Sequence, residues 1–391
     1  MRSWRAAGRL FHRAMSSSAF PHSEALVPYT PPPWAARLRG VPKYRLQLGQ
    51  LNTPIQRWRL NDLPDGVEVF IKRDDMTGST LSGNKVRKLE FLMADAIDRG
   101  CGAVITCGGV QSNHCRATAV AARQLGLDIH LMLRSDVQKP SEVGCEGNLL
   151  QDRLMGANVY LVQRTEWYEE KLLPRMKRLA NRIKETSGKE SYLIPVGGSN
   201  LAGLFGYITA FQELMEQGVL ERFDDLVVTV GSGGTTCGLC VANYLTGSKI
   251  RIHAVAICDD AAYFHRHIND TLQEIGLTDV RSEDIVDIIE GYKGRGYALS
   301  TKKELEFVAN IAHTSGIILD PVYTGKAAVG LLQELQTNQS RFQGNRILFL
   351  HTGGIFGLYD GRMSAVLKDG MRHVTDRVHD WWNPDDDPPF P

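Results

Sequence analysis

The chain predicts an α/β fold of two interleaved lobes, each an open parallel or mixed sheet flanked by helices. Two observations carry that prediction. From residue 67 onward, short apolar runs of strand length alternate with amphipathic stretches of helix length. Strand ends also carry glycine beside serine, threonine or asparagine, at 108–113, 197–200, 231–236 and 352–354. Apolar strands that lead through polar turns into helices build parallel sheets covered on both faces. Such sheets take ligands beyond the carboxyl ends of their strands. A chain of 391 residues suffices for one large or two medium units of this kind. No long linker separates them, so the smaller lobe is expected at 88–195 and the larger at 23–87 together with 196–391.

Taken in order, 28–39 contains Pro31-Pro32-Pro33 and is an extended lead-in. Leu51-Asn52-Thr53-Pro54 turns the chain before a first strand at 67–72. Residues 103–107, 129–133, 159–162, 192–196, 226–230, 252–257 and 347–350 are further strands, short and apolar. Helices follow at 112–125, 147–155, 166–186, 203–217 and 237–245. Asp320-Pro321 opens another helix, with proline at its first position.

Composition removes several classes of function. A formal net charge of +1 gives no electrostatic case for nucleic acid or an anionic membrane surface. No apolar run is long enough to span a bilayer. The cysteine count is odd, at seven, in a long chain, which points to a reduced compartment. Cys237-x-x-Cys240 has the spacing of a redox or metal pair. It has no second pair of ligands at zinc spacing and lies in an apolar helix, so it reads as two buried thiols, and no metal is expected. Residues 1–22 differ from the rest: they hold no acid, and Arg2, Arg5, Arg9 and Arg13 recur at helical spacing before Ser16-Ser17-Ser18. That pattern resembles a mitochondrial transit peptide; a chloroplast address or a plain tail are the alternatives.

The chemistry centres on 71–96. After the strand come Asp74-Asp75, then the polar turns Thr77-Gly78-Ser79 and Ser82-Gly83-Asn84, then Lys85 at the start of an amphipathic helix. Val86, Leu89, Met93 and Ala96-Ile97 mark its apolar face; Arg87-Lys88, Glu90, Asp95 and Asp98 mark a polar one. A lysine at a helix start lies near free backbone amides, a setting that lowers an amine's pKa as imine chemistry requires. The same place also suits an ordinary solvated lysine. Gly231-Ser232-Gly233-Gly234-Thr235-Thr236 follows a strand and opens a helix, and its amides and hydroxyls suit a phosphate. A dinucleotide fingerprint would need glycine where Thr236 stands, so a bare phosphate on a smaller cofactor fits better, and an empty tight turn is the bland alternative. Val110-Gln111-Ser112-Asn113-His114 forms a second anion cup, whose free amides suit a substrate carboxylate while Ser112 caps the helix or handles a proton. Tyr292, Tyr297 and Tyr323 each lie near a glycine that would let a ligand approach. An imine-competent lysine, a phosphate cup and a carboxylate cup together suggest pyridoxal phosphate acting on an amino acid.

The segments KRDD…SGNKVRKLE, GGVQSNHCR, EGYKGRGY, DPVYTGKA and FLHTGG resemble the fold-type II pyridoxal-phosphate enzymes that include 1-aminocyclopropane-1-carboxylate deaminases and D-cysteine desulfhydrases. The resemblance covers about 45–360 and implies the tryptophan synthase β-like fold, a homodimer and a small amino acid substrate. It implies that Lys85 bonds the cofactor aldehyde and that Asn113 meets the ring hydroxyl. It places the phosphate on Gly231, Ser232, Gly233, Gly234 and Thr235, with Lys88 nearby. It gives Ser112 the handling of a proton, with Asn113 and His114 beside it, and sets Tyr297 and Tyr323 near the substrate. The deaminase pattern carries glutamate where this chain has Thr324, and leucine where it has Thr352. A carboxylate keeps the ring nitrogen protonated and makes the ring a strong electron sink, which opening a cyclopropane requires. The hydroxyls therefore favour β-elimination from D-cysteine, with deamination of the cyclopropane acid as the alternative.

Overall fold

A computed structural model describes residues 25–370, together with 379, 381 and 382. The leader expected at 1–22 lies outside the described residues. In chain order the strands are β1 (Val27–Pro28), β2 (Tyr44–Arg45), β3 (Ile55–Arg57), β4 (Glu68–Lys72), β5 (Ala103–Gly109), β6 (Asp128–Ser135), β7 (Asn158–Gln163), β8 (Ser191–Leu193), β9 (Asp225–Val230), β10 (Arg251–Ala256), β11 (Asp287–Ile289) and β12 (Arg346–Leu350). The larger sheet has six strands ordered β11-β10-β9-β12-β4-β3, parallel except for β3. The smaller has four, ordered β7-β6-β5-β8, all parallel. This is the α/β architecture that the alternation of apolar runs and helices predicts.

Register places the loops that matter. Pairing of β12 with β4 sets Leu350 level with Lys72, so 351–354 and 73–84 leave the sheet side by side. Between the sheets runs the helix Lys85–Asp98. Its Phe91 packs with Phe205, Val228 and Leu239 over the larger sheet, while Val86, Leu89 and Met93 pack with Val104, Leu131 and Leu133 of the smaller. The helix Leu201–Glu216 crosses it closely, at Gly206: a Cβ there would stand 2.6 Å from the Arg87 carbonyl carbon, which only glycine avoids.

The first half of the polar face expected on the lysine helix is buried, while Asp98 at its end is exposed. Arg87, Lys88 and Glu90 are each 1–2% exposed. Arg87 donates to both oxygens of Asp74 (2.8 and 2.9 Å) and both of Glu213 (3.0 and 2.8 Å). Lys72 also reaches Glu213, and Tyr207 donates its hydroxyl to Asp74 at 2.9 Å. Glu90 accepts from Arg45 at 2.8 Å and from the amides of Leu48 and Gly49. Buried charge is tolerated here because each group is matched. Burial pushes the Glu213 carboxyl up, but Arg87 and Lys72 outweigh it and hold it down at about 2.

Other boundaries move for local reasons. The helix expected from Pro321 begins at Thr324. The Asp320 carboxylate takes the amides of Val322, Tyr323 and Thr324 at 3.0, 3.0 and 2.7 Å and turns the chain first. The strand expected to 196 stops at Leu193, because Pro195 has no amide for the ladder. The helix expected at 166–186 opens as a π-turn, Tyr168–Leu172, before the α-helix Leu173–Ser187. Helices Ala261–Glu274 and Lys302–Ser315 were not expected, although Asp260 and the Thr301–Glu304 capping box mark their starts. Cys237 and Cys240 are buried free thiols in the helix Gly234–Leu245, which agrees with the packing reading.

Removing Arg87 leaves two buried carboxylates short of their partner. Arg87→Met is expected to lower unfolding free energy by about 3–5 kcal/mol, measured by urea denaturation at pH 7. A loss below about 1 kcal/mol would show that the network is not structurally important.

Candidate active site

The turn that delivers Lys85 is pinned at several points. Thr77 Oγ1 accepts from the Gly83 amide at 2.9 Å and offers its proton to the carbonyls of Asp74 and Gly83. Gly83 has φ +103°, and a Cβ there would stand 2.8 Å from the Thr352 carbonyl oxygen. Asn84 donates its amide to that same oxygen at 3.1 Å and its Nδ2 to Thr235 Oγ1 at 2.9 Å. Arg116 bonds the carbonyls of Thr80 and Ser82 and lies over the Phe356 ring. The loops at 73–84, 231–236 and 351–356 are thereby tied around one point.

Lys85 is the first residue of its helix and is buried. Its Nζ has a long contact of 3.5 Å to the Gly197 carbonyl oxygen. Burial pushes the ammonium down to about 8. The direction matches the sequence expectation; the main cause is burial rather than the helix terminus. One turn on, Lys88 is 1% exposed and donates to the Gly197 carbonyl at 3.2 Å and to Ser199 Oγ at 3.5 Å. Burial, then the charge of Lys85, push it well below its ordinary value. Among the described residues no carboxylate pairs with it.

The phosphate cup is the start of the helix Gly234–Leu245. Ser199 Oγ accepts from the Gly234 amide at 3.2 Å and donates to Ser232 Oγ at 2.8 Å. A Cβ on Gly234 would lie 2.8 Å from Lys88 Nζ, and one on Gly197 would collide with Ser232 and lie 3.4 Å from Lys85 Nζ. The structure thus brings Gly231–Thr235, Lys88 and Lys85 together. Thr236 Oγ1 is buried without a partner.

The second cup opens the helix Asn113–Gln124. Ser112 is its N-cap and accepts from the Cys115 amide at 3.2 Å; the Arg116 amide goes to the Ser112 carbonyl. The first two helical amides, of Asn113 and His114, remain for a ligand. Asn113 Oδ1 is buried and unpartnered. Thr106 donates its one hydroxyl proton to the Ile194 carbonyl, so His114 Nε2, 2.9 Å away, must be the donor to Thr106 Oγ1. Burial, with Lys85 and Lys88, holds His114 well below its usual value, so the ring is neutral and its buried Nδ1 is a bare acceptor.

Tyr297 and Tyr323 join the two cups. Their hydroxyls are 2.8 Å apart. The Tyr297 ring lies 3.5 Å from where a Cβ on Gly109 would be, and the Tyr323 ring 3.1 Å from one on Gly231. Burial pushes Tyr297 up to about 12 and Tyr323 well above its ordinary value, so both are neutral phenols at physiological pH. Tyr292 lies elsewhere, donating to Glu334 at 2.8 Å. The Thr324 hydroxyl donates to Asp320 Oδ1 at 2.7 Å and accepts from the Asp320 amide at 2.8 Å. Thr352 is 7% exposed, and its main-chain oxygen holds the lysine turn. Sequence reasoning missed Asn84 and Ser199 as site residues. The signals were present, an amide side chain next to Lys85 and a serine in the GGSN strand end, but which cup each serves is a tertiary fact.

Comparison with known proteins agrees with this geometry. The family of pyridoxal-phosphate dependent enzymes matches residues 46–353. The chain is 47% identical, over 93% of its length and 92% of the other, to a protein of Arabidopsis thaliana named bifunctional D-cysteine desulfhydrase/1-aminocyclopropane-1-carboxylate deaminase, mitochondrial. It is 36% identical to the D-cysteine desulfhydrase of Yersinia enterocolitica, over 81% of this chain and 95% of that one. The solved structure of an ACC deaminase homologue superposes with a TM-score of 0.73 at 34% identity, covering 87% of this chain and 99% of that one.

The described residues fit pyridoxal phosphate. A buried amine near pKa 8 suits its aldehyde. A helix start beside a buried lysine without a counterion suits its phosphate. The orphaned Asn113 Oδ1 suits a hydroxyl donor. Only the neutral form of an amine attacks an aldehyde, and Lys85 becomes neutral as pH rises through its pKa. Cofactor uptake by the cofactor-free protein, followed by absorbance, is therefore expected to accelerate with pH through about 8 and level off above. An inflection near the ordinary lysine value of about 10.4 would contradict a buried Lys85.

Proposed function

This chain belongs to the pyridoxal-phosphate dependent enzymes, and we propose that within them it converts D-cysteine and water to pyruvate, ammonia and hydrogen sulfide by β-elimination. The observation that carries the proposal is the hydroxyl pair Thr324 and Thr352, at positions where the deaminase pattern has glutamate and leucine. Thr324 gives its only proton to Asp320, and Asp320 itself accepts from the amides of Val322, Tyr323 and Thr324 and from that hydroxyl. Neither group is left to protonate a ring nitrogen strongly. A weaker electron sink is enough to expel hydrosulfide, a good leaving group.

When bound, pyridoxal phosphate supplies an aldehyde for the substrate amine and a ring that takes up the electron pair left at the α-carbon. The protein's part is binding, orientation and proton movement. Gly231, Ser232, Gly233, Gly234 and Thr235, with Lys88, hold the phosphate, and Asn113 holds the ring hydroxyl. The amides of Asn113 and His114, with Ser112, hold the substrate carboxylate at a positive helix start. Lys85 Nζ, kept near pKa 8 by burial, is able to accept a proton near neutral pH. Ser112 Oγ accepts from the Cys115 amide within its cap, and its hydroxyl carries a proton that could move. Which of the two takes the α-proton depends on the face the substrate presents. Tyr297 and Tyr323, both neutral, stand on the substrate side and are suited to give a proton to the departing sulfur.

Deamination of 1-aminocyclopropane-1-carboxylate is proposed as a second activity, supported by the bifunctional name of the Arabidopsis relative. We further read 23–87 with 196–391 as the cofactor-binding unit and 88–195 as the smaller one, and the assembly as a homodimer. The acid-free, arginine-bearing 1–22 and the relative's name support a mitochondrial address.

Purified enzyme is expected to release sulfide from D-cysteine at least about tenfold faster than from L-cysteine, a difference of roughly 1.4 kcal/mol in transition-state binding. Faster release from the L-isomer would reject the stereochemical assignment. Thr324→Glu with Thr352→Leu is expected to raise the ratio of 2-oxobutyrate formed from the cyclopropane acid to sulfide formed from D-cysteine by about tenfold or more. An unchanged ratio would remove the electron-sink account.

A further inference from the structure

We propose that Lys326 is a positioning residue that sets the place of the Tyr297 phenol by gripping the main chain on both sides of it. Tyr297 lies on a loop between β11 and the helix Lys302–Ser315. The loop has no strand or α-helix of its own. Gly291, Gly294 and Gly296 have positive φ, and Ala298 is held at φ 58°, a conformation that a residue with a Cβ adopts only under outside constraint. Lys326 supplies part of that constraint, from the residues on either side. Its Nζ stands 2.8 Å from the Lys293 carbonyl oxygen, 3.0 Å from that of Gly296 and 3.1 Å from that of Leu299. An ammonium has three N–H bonds, and here all three go to one loop. The residue is 2% exposed, and its nearest carboxylate, on Glu304, is 3.9 Å away, beyond hydrogen-bond distance. The lysine faces Glu304 across an ion pair, but all its hydrogen bonds go to the backbone of this loop.

The grip is shared. Arg164 Nη2 donates to the Tyr297 carbonyl at 3.0 Å, and Arg362 Nη1 to that of Ala298 at 3.1 Å. Lys326 and Tyr323 belong to one segment, Tyr323-Thr324-Gly325-Lys326, in which the tyrosine is the N-cap and the lysine lies in the first turn of the helix Thr324–Thr337. That segment therefore fixes both partners of the phenol pair: Tyr323 directly, and Tyr297 through three carbonyls. Their hydroxyls stand 2.8 Å apart.

The inference rests on the reading that Tyr297 serves the substrate, and a double-mutant cycle separates the two. In cofactor-loaded enzyme, Lys326→Met is expected to lower kcat for sulfide release from D-cysteine by about tenfold or more, as a displaced catalytic group does. KM and the bound-cofactor absorbance should change little, and amide hydrogen exchange across 291–299 should accelerate. Tyr297→Phe should lower kcat alone, and adding Lys326→Met to it should cost less than about twofold further, because both act through the same phenol. Additive losses, or unchanged exchange in the loop, would overturn the role of Lys326 while leaving Tyr297 in the reaction. A silent Tyr297→Phe would remove Tyr297 from the reaction, and the inference with it. Should Lys326→Met not fold, Lys326→Gln, which loses the ammonium and keeps at most two N–H donors for the three carbonyls, is put through the same cycle with the same criterion.

Discussion

The structure depends on the burial of one guanidinium. Arg87 sits two residues after the lysine that opens its helix and is matched on both sides by carboxylates, Asp74 from the preceding turn and Glu213 from the crossing helix. Lys72, Thr53, Gln217 and Tyr207 complete the same network. Its members come from the turn before β3, from β4 and the turn after it, from the lysine helix, and from the helix Leu201–Glu216 with its C-cap Gln217. A buried, hydrogen-bonded charge network tolerates little displacement, because any shift leaves a charge unpaired in a medium of low dielectric. The start of the lysine helix is thereby located against the larger sheet to within a hydrogen bond. The apolar residues of the same helix locate it against the smaller sheet. Lys85 stands where both constraints meet.

Around that point the protein gathers basic groups that no acid among the described residues pairs with. Lys85 and Lys88 are one turn apart and buried, their amines face main-chain oxygens and hydroxyls, and helix starts at 113 and 234 bring backbone amides toward them. His114 is kept neutral by burial, with Lys85 and Lys88 adding to it. Such a site is unfavourable when empty and favourable around a dianionic cofactor and a carboxylate substrate. The contrast with Arg87 is chemical. There the cation is answered by acids of the fold; here, on the proposed function, the cofactor and substrate are the answer.

Much of this was legible in the sequence, for reasons that differ by residue. The alternation of apolar runs with helices gives the sheets, because strands buried on both faces are continuous apolar runs. Gly231 to Thr236 is legible as an anion cup because its residue types follow a strand and open a helix. The burial of Arg87 and Glu90 was not legible, because hydrophobic periodicity marks them only as polar and cannot see the acids that meet Arg87 from 74 and 213 or the Arg45 that meets Glu90. The start at Thr324 was misplaced for a similar reason. Pro321 fits a first helical position by local preference, while Asp320 captures three amides and delays the helix. Asn84 and Ser199 carry ordinary turn chemistry in sequence and gain their roles only when separate strand ends converge.

The central claim is that the amine of Lys85, and no other, carries the cofactor. Borohydride reduction of the loaded enzyme followed by peptide mapping tests it most directly. The reduced pyridoxyl label is expected on Lys85 alone, in the peptide that contains Ser82-Gly83-Asn84. Label on Lys88 or another lysine, or no label at all, would contradict it.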